Sequence, residues 1–78
     1  MKNKALSINQ DIDPIRFIRI RDVMDLTGIS KSHIYYLSAT NDFPTRVSLV
    51  PGGSAVGWVE SEVLSWLDQR IKARDLEV

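Results

Sequence analysis

The stretch Val23-Met24-Asp25-Leu26-Thr27-Gly28-Ile29-Ser30-Lys31-Ser32-His33-Ile34-Tyr35-Tyr36-Leu37 decides the fold. Its first part, from Arg21 to Thr27, places Val23, Met24 and Leu26 after Ile20 at helical spacing over about two turns. Gly28 then ends that helix, because glycine tolerates the left-handed backbone that a helix terminus requires. Ser30 starts a second helix by offering its hydroxyl to an otherwise unpaired N–H. Ile29 before that cap and Ile34 four positions into the helix have the spacing of a hydrophobic staple. Ile34 and Leu37 share one face of the second helix, and Ser32, Tyr35, Tyr36 and Ala39 lie roughly opposite. The helix stops by Thr40-Asn41-Asp42, ahead of Phe43-Pro44. Two short helices around a tight glycine-containing turn form a helix-turn-helix.

Working outward, Ile15, Phe17, Ile18 and Ile20 anchor a short extended segment before the first helix. Residues 1–14 are polar and aperiodic, and read as a flexible leader ending at Pro14. Downstream, Val47–Val50 and Ala55–Trp58 are two strands joined by the turn Pro51-Gly52-Gly53-Ser54, which predicts a hairpin. A longer helix begins near Val59–Ser61 and carries Val59, Val63, Trp66, Leu67 and Ile71 at helical spacing. Glu60 and Glu62 near its start and Arg70, Lys72 and Arg74 near its end suit the helix dipole. Residues 75–78 are expected to fray. A helix-turn-helix cannot bury its own apolar faces, so the hairpin and last helix complete the core through Val47, Leu49, Val56, Trp58, Val63, Trp66 and Leu67. The expected fold is mainly α with a small β-hairpin: a winged helix-turn-helix over residues 15–74, with two short helices, a hairpin wing and a longer C-terminal helix.

Composition narrows the function. The chain has 78 residues, enough for one domain. It has no cysteine, which excludes disulfides and thiolate metal sites, and its one histidine, His33, cannot build a metal centre alone. No cofactor is implied. No apolar run approaches the roughly 18–20 residues that span a bilayer, and no apolar signal core follows the N-terminal lysines, so a cytoplasmic location is the default. Net charge is zero, which argues against indiscriminate coating of DNA. The charge is nevertheless segregated. Arg16, Arg19, Arg21, Lys31 and Arg46 outweigh Asp22, Asp25 and Asp42 in residues 16–58. Glu60, Glu62, Asp68, Asp75 and Glu77 outweigh Arg70, Lys72 and Arg74 in the remainder. This suits a DNA-facing middle and a solvent-facing last helix.

Three ordered blocks carry a family resemblance. The first is Arg16-Phe17-Ile18-Arg19-Ile20-Arg21-Asp22-Val23 leading to Thr27-Gly28-Ile29-Ser30-Lys31-Ser32-His33-Ile34-Tyr35. The second is Asp42-Phe43-Pro44-Thr45-Arg46-Val47-Ser48-Leu49. The third is Ala55-Val56-Gly57-Trp58 followed by Glu60-Ser61-Glu62-Val63 and Trp66-Leu67. Together, from Arg16 to Arg74, they resemble the AlpA-type phage regulators, grouped with the excisionase-like and MerR-like winged-helix proteins. The resemblance implies transcription control or site-specific recombination of a prophage or genomic island, with the protein at the nucleoid when bound. The chain departs from that pattern where charge matters. Tyr36 stands where an arginine or lysine is common, Ser48 and Ser54 take wing positions that are often basic, and Arg46 replaces a frequent proline. For every phosphate left without a cation, the slope of log K against log salt falls in size by about 0.9.

The candidate DNA contacts follow from docking geometry. Lys31, Ser32 and His33 stand in the first turn of the second helix, where base or phosphate contact occurs in helix-turn-helix proteins. Tyr35 and Tyr36 can offer hydroxyls to phosphate, or one of them can pack on the core. Arg19 and Arg21 flank the start of the first helix, which crosses the backbone in this motif; Arg46, Ser48 and Ser54 line the wing. Trp58 and Trp66 are core anchors. Gly52-Gly53 is turn geometry, because no lysine or helix start follows as in a P-loop. A Ser-His-Asp set would have to converge in a pocket that so short a chain hardly supplies, so no enzyme is expected. Two readings of function follow. One is a sequence-specific binder of double-stranded DNA, acting as regulator or excisionase and able to pair with itself on DNA. The other is a protein-interaction module that docks an integrase or a second copy and has little DNA affinity of its own.

Overall fold

The computed structural model describes residues 15–77; the expected leader at residues 1–14 lies outside them. The elements run β1 (Phe17–Ile18), α1 (Ile20–Thr27), α2 (Lys31–Ala39), β2 (Val47–Ser48), β3 (Val56–Val59) and α3 (Glu60–Glu77). The chain is mainly helical with a hairpin, the winged helix-turn-helix arrangement expected from its sequence.

Local signals set the helix boundaries. The Asp22 carboxylate accepts the Arg19 N–H at 3.3 Å, satisfying a donor at the start of α1. Gly28 closes α1 at φ 74°, and its N–H donates to the Met24 carbonyl at 2.8 Å. Ser30 caps α2, its hydroxyl accepting the His33 N–H at 3.4 Å. Asn41 ends α2 in the left-handed region at φ 64°. Its N–H donates to the Ser38 carbonyl at 3.3 Å, and the Asp42 N–H donates to the Leu37 carbonyl at 2.8 Å. These are the two paired bonds of a Schellman ending, and asparagine is among the few side chains that accept that backbone. α3 continues past Arg74 to Glu77, because Asp75-Leu76-Glu77 contains no glycine or proline to stop it.

The sheet holds one strand more than the expected hairpin. β3 lies in the middle, with order β1-β3-β2 and both neighbours antiparallel. Phe17 faces Val59 and Ile18 faces Trp58; Val47 faces Gly57 and Ser48 faces Val56. The extended segment before α1 is therefore a true edge strand, extended by a bond from the Glu60 N–H to the Arg16 carbonyl at 2.8 Å. At the wing tip the Gly53 N–H reaches the Val50 carbonyl at 2.8 Å, with Pro51 second in the turn and Gly52 third at φ 77°. That placement of proline and a positive-φ glycine is the type II pattern.

Ile18, Val23, Ile34, Phe43, Trp58 and Val63 form the buried core, with Ile20, Met24, Ile29, Tyr35, Leu37, Trp66 and Leu67 packed around it. Fully burying a side chain of this size contributes about 1.5–3 kcal/mol. The sequence expectation differs in three places. Ile15 and Phe17, expected to anchor the segment before α1, are 70% and 51% exposed, because alternate side chains of an edge strand point away from the core and only Ile18 turns inward. Val47, Leu49 and Val56 are only half-buried, because the short edge strand β2 leaves the hairpin covered from one side. Ile71 is 51% exposed despite its helical spacing, because α3 outruns the core: from Asp68 to Leu76 only Ala73 is shielded.

Gly57 marks a close approach between strands. A Cβ there would lie 2.9 Å from the Ile18 carbonyl oxygen and 3.2 Å from a Leu49 methyl. The carbonyl belongs to backbone held in register and cannot swing aside. Gly57→Ala should therefore destabilise the fold by about 1–3 kcal/mol. For a domain of this size each kcal/mol lowers the thermal midpoint by about 4–8 °C, which circular dichroism would read. A midpoint indistinguishable from wild type would show that the strands can separate at no cost.

Candidate nucleic-acid interface

The interface is built on the side of α2 that the core leaves free. Ile34 and Ser38 are buried, Tyr35 and Leu37 are half-buried, and Lys31, Ser32, His33, Tyr36 and Ala39 are exposed. Tyr36 is 62% accessible. His33 and Tyr36, one turn apart, bring their rings to 6.3 Å at 56°. The first turn carries no acidic residue, so nothing there repels an anion approaching the free N–H groups. Packing separates the two tyrosines. Tyr35 sets its edge against Trp58, centroids 5.7 Å apart, while Tyr36 points to solvent.

Behind this face lies a hydrogen-bonded knot. The fully buried Trp58 donates its indole N–H to the Pro44 carbonyl at 3.1 Å and to the Ser38 hydroxyl at 3.3 Å. Ser38 donates to the same carbonyl at 3.0 Å. These bonds tie α2, the loop before β2, and β3 together at the root of the wing. Trp66 clamps the same loop from the other side. Its ring meets Phe43 at 4.8 Å, and its indole N–H donates to the Asp42 carbonyl at 2.8 Å. Sequence reasoning identified both tryptophans but missed Phe43, which read only as a helix stop, and Ser38, which carries no burial signal of its own.

The remaining candidates divide by surroundings. Arg46 is exposed beside the wing root, its guanidinium carbon 5.5 Å from the Tyr35 ring centroid. Ser48 is exposed on β2 but donates its hydroxyl to the Val50 carbonyl at 3.2 Å. Ser54 is exposed just past the turn, and Arg19 and Arg21 are exposed at the start of α1. None of Arg19, Arg21, Lys31 or Arg46 forms an ion pair with a described residue. Arg16 contrasts with them. It grips Glu60 through two bonds of 3.1 and 2.7 Å, and that hydrogen bonding raises its guanidinium pKa above the usual value. Lys72 and Arg74 likewise pair with Asp68 and Asp75. The acids Asp22 and Asp25 line a separate shallow groove with Phe17 and Leu26. Among the described residues no cluster of three or more histidine or carboxylate groups could hold a metal, and no helix is long and apolar enough to cross a membrane.

Comparison with known proteins places this arrangement. Residues 16–71 match the family model described as the prophage CP4-57 regulatory protein AlpA. The chain belongs to the AlpA family. It is similar to the uncharacterized protein ORF88 of Enterobacteria phage P4, with 47% identity over 64 residues, covering 82% of this chain and 70% of that protein. It is also similar to the DNA-binding transcriptional activator AlpA of Escherichia coli K12, with 34% identity over 64 residues, covering 74% of this chain and 89% of the relative. No solved structure matches the chain. The AlpA match spans β1 through most of α3, and therefore includes the exposed side of α2 and the whole wing.

The knot makes a measurable claim about this AlpA-family domain. Ser38→Ala should lower the unfolding free energy by about 1 kcal/mol, the net worth of a typical hydrogen bond. Ser38→Val should cost more, because a methyl would then face the indole N–H and the Pro44 carbonyl. Urea denaturation followed by tryptophan fluorescence would check the order; equal stability in all three proteins would refute it.

Proposed function

We propose that this protein is a small double-stranded-DNA-binding transcriptional regulator of a prophage or genomic island, acting in the cytoplasm at the nucleoid. α2 enters the major groove, and the hairpin lies over the adjacent backbone. The observation that carries this reading is the free side of α2, where Lys31, Ser32, His33 and Tyr36 stand exposed on a helix-turn-helix scaffold. It is supported by the AlpA family and by a relative named as a DNA-binding transcriptional activator. Lys31 and Ser32 contact base edges or phosphate at the helix start, and His33 and Tyr36 contact the groove wall. Arg46 and Ser54 reach the backbone from the wing, and Arg19 and Arg21 from the start of α1.

The same DNA binding serves excision if the site lies within an attachment region, where a bound protein alters the path of the duplex. Few cations line the interface, so binding is modest, salt-sensitive and strengthened by pairing of copies. The exposed Leu64 and Ile71 on α3 favour an added protein contact, with a second copy or with a recombinase.

A gel-shift series with duplexes from the attachment and promoter regions of the source element tests the reading. A specific shift at low to moderate salt is expected, and its absence across that range would sink the proposal. Within it, Lys31→Ala combined with Tyr36→Ala should weaken binding about tenfold or more, since a hydrogen bond to a charged group contributes about 1.5–3 kcal/mol. The thermal midpoint should stay close to wild type, because both side chains face solvent.

A further inference from the structure

Arg46 is held in an unusual way for an exposed cation on a domain with as many acids as bases. No described carboxylate pairs with it. Its guanidinium instead lies over the Tyr35 ring, 5.5 Å from the centroid. Tyr35 in turn rests on Trp58, which is fully buried and hydrogen-bonded to Ser38 and Pro44. Arg46 therefore stands at the outer end of a series of ring contacts that runs from the centre of the core to the surface.

Stacking and ion pairing leave a guanidinium in different states. A carboxylate partner occupies the N–H edge and cancels the charge, as Glu60 does to Arg16. An aromatic face uses the plane of the group and leaves the planar fork of N–H donors free. It also reduces the rotamer freedom that an arginine would otherwise lose on meeting its partner. We propose that Tyr35 is a positioning residue that preorganises Arg46 at the junction of α2 and the wing as a phosphate clamp, and that Tyr35 itself makes no contact with DNA through its hydroxyl. This rests on the DNA-binding reading above and adds which residue acts through which.

The geometry explains how Arg46 can serve where the wing is otherwise poor in charge. The hydroxyl of neighbouring Ser48 is engaged with Val50, and Ser54 is neutral. Arg46 is the one cation between α2 and α3. A flexible arginine there would lose more rotamer freedom on meeting a phosphate than one already placed over the Tyr35 ring.

The test measures affinity of the full chain for duplex DNA by fluorescence anisotropy over a range of salt, with circular dichroism confirming that each variant is folded. Arg46→Met should lower the size of the salt slope by about 0.9, the share of one neutralised phosphate. Tyr35→Leu, which keeps apolar bulk against Trp58, should weaken binding about two- to fivefold, the effect of an exposed cation–π contact. Tyr35→Phe should rescue that loss, because it keeps the ring and removes only the hydroxyl. The double variant Tyr35→Leu/Arg46→Met should bind no more weakly than Arg46→Met alone. In the free protein, the Arg46 Nε–H resonance should move in Tyr35→Leu and stay near its place in Tyr35→Phe, a readout that needs no DNA.

Three outcomes overturn the proposal. One is a Tyr35→Phe variant as weak as Tyr35→Leu, which would make the hydroxyl the contact. Another is a Tyr35→Leu loss of equal size with and without Arg46. The third is an Arg46 resonance indifferent to both tyrosine variants. If the unsubstituted chain binds no duplex at any salt, the function proposed above falls as well; additive losses in a chain that does bind remove only the clamp.

Discussion

The structure depends on burying Trp58 with its one polar atom satisfied. An indole brings about 150–250 Å² of surface into the core, but its N–H would cost free energy if left unpaired there. Here the partners are the Pro44 carbonyl and the Ser38 hydroxyl, both supplied by the segment that leaves α2 and enters the wing. One side chain on the central strand thus ties the second helix of the helix-turn-helix to the hairpin. Trp66 holds the same loop from α3 through Phe43 and the Asp42 carbonyl. A chain this short has neither disulfide nor much core volume to spare, so two tryptophans with satisfied N–H groups supply rigidity that larger domains draw from bulk.

That rigidity shapes the surface the proposed function uses. The bonds among Ser38, Pro44 and Trp58 join α2 to the wing root, so the residues between them have a defined relation to each other. The cations on that side are few, but Arg19, Arg21, Lys31 and Arg46 pair with no described acid, whereas Arg16, Lys72 and Arg74 do. The acids Asp22 and Asp25 gather beside Phe17 and Leu26 instead. The contacts remain few, which makes their placement matter more than their number.

Much of the scaffold was legible in the chain because its signals are local. Gly28, Ser30 and the Ile29–Ile34 pair each satisfy a need that arises within about one turn of the helix they bound. Pro51 and Gly52 do the same for the wing tip. The candidate site was legible to the same degree: position in the first turn of α2 is enough to mark Lys31, Ser32 and His33 as exposed. Tyr35 and Tyr36 were not separable, because they sit on neighbouring spokes of one helix and only the position of Trp58 distinguishes them. The stack of Arg46 on Tyr35 joins a loop to a helix and leaves no trace in the spacing of either.

The sequence by itself determined where α1 ends, where α2 begins and ends, that a hairpin follows, and which turn of α2 is free, since hydrogen bonding and backbone conformation over a few residues decide these. Only the tertiary structure decided that β1 joins the sheet, that Gly57 must lack a side chain beside the Ile18 carbonyl, that Ser38 and Phe43 are buried, and that Ile71 is not. The reason is separation along the chain. Trp58 meets Pro44 and Ser38 across 14 and 20 residues, and Arg16 meets Glu60 across 44. No local periodicity encodes which of many polar or apolar groups will meet over such distances; that is set when the elements pack and each buried polar atom finds its partner.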